Sequence, residues 1–121
     1  MSLVVSVWLV DPDDLMKVRT LPPSDGEDSY GGGEDTRTTL WNSPAVVRRG
    51  ARFLPWLADH NLYIEPKDVP AFGEECERLL ADSAGLAAET ECRLEQIERN
   101  LTNMLQVVAR ATSMGQGVVI W

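Results

Sequence analysis

Apolar residues fill Leu3 to Val10 on alternate and successive positions, broken only by Ser6. The run is rich in β-branched side chains, which predicts a strand covered on both faces or central in a sheet. Asp11-Pro12-Asp13-Asp14 follows. An aspartate N-cap, a proline at the first helical position and acids at the positive end of the dipole predict a short helix through Met16 and Val18. That helix must end near Pro22-Pro23. Residues 24–35 offer almost nothing apolar to bury, and they predict a flexible, acidic, Gly-rich loop. Thr36 to Trp41 regains β-propensity and predicts a strand at a sheet edge.

Ser43-Pro44 opens the next helix, with Ser43 as the cap. Gly50 and Pro55 predict a kink, or a break into two pieces. Asn61 to Glu65 predicts a short strand. Asp68-Val69-Pro70 starts another helix, with Phe72, Cys76, Leu79 and Leu80 inward and an exit at Ser83 to Gly85. The strongest periodicity comes last. Leu94, Ile97, Leu101, Met104 or Leu105, and Val108 recur at helical spacing, predicting a helix from about 89 to 114. Gly115 suits the left-handed residue beyond its end. Gly117 to Trp121 predicts a closing strand. The expected architecture is a single α+β domain over 1–121, with a sheet of about three to five strands that includes both chain ends and helices packed on it.

Composition changes the picture mainly through charge. The chain has 121 residues and a formal net charge of −8. Phosphate binding needs concentrated Lys and Arg, so the acidity argues against nucleic acid as a partner. It equally disfavours an anionic membrane, and no stretch is long enough to span a bilayer. A basic protein partner suits it. The N-terminus lacks the basic start of a signal peptide, so a cytoplasmic location is expected. The bases are nearly all arginine, and Ala, Gly and Val are frequent, which suggests a GC-rich genome. Cys76 and Cys92 sit in no Cys/His cluster, so no zinc site is expected; whether they pair is left open.

The segment Gly26 to Asp35, with three consecutive glycines, invites a ligand reading. A phosphate loop needs Lys and Ser/Thr after its last glycine, whereas Glu34 and Asp35 stand here. The acid spacing fits neither an EF-hand nor the glycine–aspartate calcium repeat. A connector, or a loop that orders against a partner, is the remaining expectation, with Tyr30 as its one sizeable apolar anchor. His60 has no placed acid and nucleophile around it, and no nucleophile elbow, zinc-protease pair or serine–lysine pattern occurs. No catalytic residue, metal or cofactor is therefore assigned.

Two sets of candidate residues remain. Asp28, Tyr30, Glu34 and Asp35, with Glu91, Glu95 and Glu98 on the last helix, form a candidate partner-contact set that would steer a basic protein. Arg48 and Arg52, one turn apart, with Trp41 and Trp56, form a candidate anion or small-ligand pocket. The alternative for the arginines is internal pairing with the surplus acids. The apolar end strands could also complete a sheet across a homodimer.

Tyr63 to Phe72, running into Glu74-Glu75-Cys76, resembles a strand–Pro–helix segment of small bacterial proteins of the toxin-immunity type, and Gly115 to Trp121 is similar in style. The likeness implies a non-catalytic protein that binds and blocks a cognate toxin. Such proteins share no fixed functional residues, so none is carried over.

Overall fold

The computed structural model describes residues 2–14, 18–23 and 28–121. It is an α+β domain built on a five-stranded antiparallel sheet. In chain order the elements are β1 (Ser2–Leu9), β2 (Arg19–Thr20), β3 (Tyr30–Gly33), a π-helical turn (Arg37–Trp41), α1 (Pro44–Arg48), a 3-10 turn (Leu54–Ala58) and β4 (Leu62–Ile64). A second 3-10 turn (Pro66–Asp68), α2 (Val69–Ala81), α3 (Ser83–Thr90), α4 (Leu94–Met114) and β5 (Gly117–Ile120) complete it.

The two chain ends lie side by side at the centre. β1 pairs antiparallel with β5, and β4 lies on the far side of β5. The other edge of β1 is shared: β3 pairs with its first half and β2 with its last residues. Leu3, Val5 and Val7 project to one face with Val118, Ile120, Leu62 and Ile64, and all seven join the buried core. α4 covers this face with Ile97, Leu101, Met104 and Val107, and α2 packs along α4 through Val69, Phe72, Cys76 and Leu79.

The second sheet face is only partly covered, so the expectation of β1 buried on both sides gives way to its central position. There Trp8 is buried against Tyr63 edge-on, with ring centroids 5.6 Å apart, while Tyr63 itself is exposed. Trp8 lies over its cross-strand partner Gly117, where an added Cβ would come within 2.9 Å of the indole.

Four sequence expectations are corrected. The helix begun at Asp11 is a turn at Pro12–Asp13: the Asp11 carboxylate accepts from the Asp13 N–H at 2.9 Å, and Val18 lies outside any helix. Met16 lies outside the described residues. The loop expected over 24–35 contains β3, although residues 24–27 fall outside the description. Its glycines are there for close approach: a Cβ on Gly31 would come within 3.0 Å of Val5, and Gly32 has a φ of +117° beside Thr36 and Asn100.

The strand expected at Thr36–Trp41 is a π-helical turn. Consecutive Leu40 and Trp41 are both fully buried, which a half-covered strand could not arrange. The threonine hydroxyls bond the local backbone instead, Thr36 to Gly33 O at 2.6 Å and Thr39 to Asp35 O at 3.0 Å. Finally, the exit at Ser83–Gly85 is the start of α3, and the long helix begins at Leu94 rather than near Glu89. Glu91, at φ 62°, ends α3 in the left-handed conformation without a glycine. The other terminators hold. Ser43 caps α1, accepting from Val46 N, the segment after it breaks at Gly50, and Gly115 closes α4 at φ 66°.

Candidate functional site

Two regions gather the candidate residues. The first is the face where α4 meets β3. Asn103 Nδ2 donates to Tyr30 O at 2.9 Å, and Arg99 lies over the Tyr30 ring at 5.1 Å while its guanidinium meets Asp28 at 2.7 Å. The Asp28 carboxylate also accepts from the Tyr30 N–H at 3.0 Å. That backbone bond first, and Arg99 second, hold the Asp28 carboxyl below its usual 3.8. Glu34 is paired with Arg37, which also donates to Leu57 O, His60 O and Asn61 Oδ1. Two acids of the contact set are thus neutralised inside the chain.

Asp35, Glu91, Glu95 and Glu98 are exposed and close no ion pair among the described residues. Glu95 and Glu98 stand on the first turns of α4, the helix whose Arg99 and Asn103 fasten the 28–30 segment. Glu91 lies three residues ahead of that helix. The structure therefore attaches the glycine-rich segment to α4 instead of leaving the two apart.

The second region surrounds Trp56. Trp41 does not belong to it: its side chain is fully buried and its indole N–H donates to Gly31 O at 3.2 Å. Arg48 does not either. It pairs with Glu89, and with Glu89 it lines a separate cleft beside Thr38, Thr39 and Ser43. Arg49 binds both Asp82 and Glu89, so α1 is clamped to both ends of α3. Those carboxylates, Asp82 foremost, raise the Arg49 pKa further above its ordinary value.

Arg52 and Trp56 are brought together. They share a cleft of about 290 Å³ with Asn42, Asp59 and His60. Trp56 is 60% exposed and stands 5.7 Å from the His60 ring. The turn that displays them is fixed from below by a residue absent from both candidate sets. Glu75, 2% exposed on α2, accepts from the consecutive N–H groups of Arg52, Phe53 and Leu54 at 2.5, 3.1 and 3.0 Å. A carboxylate in a nest of backbone donors is an internal anion site, occupied by the chain itself. The signal available was position: Glu75 falls between Phe72 and Cys76 on the inward side of a helix with acids to spare.

Among the described residues no group of three or more His, Cys, Asp and Glu is placed to hold a metal ion. No helix among them is long and apolar enough to cross a membrane. Cys76 and Cys92 are both free, and burial pushes the Cys76 thiol well above its usual 9.0. Comparison of the chain with protein-family models, curated proteins and solved structures gives no match.

Proposed function

We propose that this chain is a non-catalytic binding protein that docks onto a basic protein, in the manner of an immunity or inhibitor protein. The observation that carries the reading is the fastening of the 28–30 segment to α4 by Arg99 and Asn103. The docking surface we infer joins that segment to the helix that bears Glu95 and Glu98. Asp35, Glu91, Glu95 and Glu98 supply its unneutralised charge, and Tyr30 with Arg99 supplies a packed aromatic contact. A preorganised acidic surface raises the association rate with a basic partner and loses no ordering entropy on docking.

The test is affinity capture on immobilised protein at low salt, with wild type and with Glu91→Lys/Glu95→Lys/Glu98→Lys. The proposal expects a basic protein retained by wild type, released by salt and not retained by the variant. Retention by both forms alike overturns it.

A second reading, a small-ligand site, is favoured by Arg52 and Trp56 lining one cleft.

A further inference from the structure

Trp56 separates two clefts of different chemistry. The polar one, about 290 Å³, carries Arg52, Asp59 and Asn42 on its walls. The apolar one, about 420 Å³, is walled by Phe53, Leu62 and Tyr63 with Asn61. Trp56 and His60 line both, so a single ligand can reach from one to the other across the indole. The apolar cleft lies in the range of small-molecule sites, about 300 to 1,000 Å³, and the polar one at its lower edge.

Two opposite charges line the polar cleft. Arg37, Arg48, Arg49 and Arg99 have each closed an ion pair with an acid. Arg52 and Asp59 have opposite charges and line the same cleft, yet they form no ion pair with each other or with any other described residue. The Arg52 guanidinium lies over the Phe53 ring, at 5.8 Å. The segment around Arg52 is held by its backbone to Glu75, and the one around Asp59 by the N–H of Asp59 and His60 to Trp56 O. The two charges therefore stand on anchored backbone along one cleft.

A simple anion in this cleft would meet Arg52 but also Asp59. A simple cation would meet the converse. A zwitterion satisfies both at once. We infer that the paired clefts bind a free amino acid with an apolar side chain. Its carboxylate sits at Arg52, its ammonium at Asp59, and its side chain crosses Trp56 into the recess of Phe53, Leu62 and Tyr63. The inference rests on the small-ligand reading and sharpens it to a ligand class. It is independent of the acidic docking surface.

Isothermal titration with L-phenylalanine, N-acetylphenylalanine and phenylalaninamide tests it. The free amino acid binds, and each capped analogue binds at least about fivefold more weakly, since each lacks one charge-assisted contact at a solvent-accessible site. In Arg52→Ala, phenylalanine loses its advantage over phenylalaninamide. In Asp59→Asn, it loses its advantage over N-acetylphenylalanine. Both residues are exposed, so the folded state persists in each, which circular dichroism verifies. Binding of N-acetylphenylalanine as tight as that of phenylalanine overturns the zwitterion while leaving a small-anion site standing. No binding of any of the three at millimolar concentration overturns the inference, and a screen of small anions that then shifts no melting temperature removes the small-ligand reading as well.

Discussion

Glu75 shows how much one side chain can organise. Its carboxylate is the partner of three successive backbone donors in the turn that carries Arg52 and Trp56. Glu75→Ala leaves those N–H groups without their acceptor beside the core, and unsatisfied donors cost more than the bonds themselves contribute. The expected loss is about 2–4 kcal/mol in urea unfolding. Glu75→Gln keeps the shape but turns an NH2 toward donors, so it should lose part of that stability.

Among the two thiols the expected contrast is kinetic. Cys76 is fully buried and its thiolate is disfavoured, whereas Cys92 is half-buried. A thiol reagent at neutral pH should modify one cysteine in the native protein and the second only on unfolding. Two equally fast cysteines would contradict the burial of Cys76.

Elements are where sequence and structure part company, for identifiable reasons. The helices at Pro44, Val69 and Leu94 and both end strands were legible because their apolar spacing matches one face of a shared core. β3 was not, because a strand of Tyr30-Gly31-Gly32-Gly33 has almost no side chains to show a period. Its stability comes from neighbours: β1 on one side and Asn103 and Arg99 of α4 on the other. The turn at Arg37–Trp41 was hidden by threonines that favour strands on average but here bond their own backbone. Gly85 was read as a stop, yet within α3 it gives clearance: a Cβ there would come within 2.9 Å of the Arg49 guanidinium. The two arginines of the candidate pocket separated because Gly50 ends the helix between them.

Two predictions belong to this scale. A Cβ on Gly117 would fall against Ile64 O and the Trp8 ring, at the centre of the β1–β5–β4 sheet. Gly117→Ala should therefore destabilise by about 2 kcal/mol or more, read as a lowered melting temperature. The second concerns the β3 tether. The folded-state pKa of Asp28 is depressed, so its contribution is complete above 3.8 and is lost as pH falls through the lower folded value. The protection of the Tyr30 amide, relative to its intrinsic exchange rate, should fall below about pH 4, and Asp28→Asn should show the lower protection already at neutral pH. Unchanged protection in that variant would mean that β3 is held by β1 and Asn103 alone.

For the molecule as a whole, the adjacent chain ends and the helix layer on one sheet face make a compact support for two separate surfaces. One is formed by α4, with Glu95 and Glu98 exposed on its first turns, and the segment fastened to it. The other surrounds Trp56 and is set by Glu75. The net charge of −8 was visible in the sequence and gave the expected partner its sign. The docking of the 28–30 segment on α4 was not visible, because it depends on Arg99 and Asn103 reaching across about seventy positions of chain to Asp28 and Tyr30. The central claim is that the exposed acids Asp35, Glu91, Glu95 and Glu98 drive binding. Its most direct test is the association rate of the captured basic partner as a function of ionic strength, for wild type and Glu91→Lys/Glu95→Lys/Glu98→Lys. The account predicts a rate that falls steeply with salt in wild type, and a slow, nearly salt-independent rate in the variant. Equal rates and equal salt dependence in both forms would contradict it.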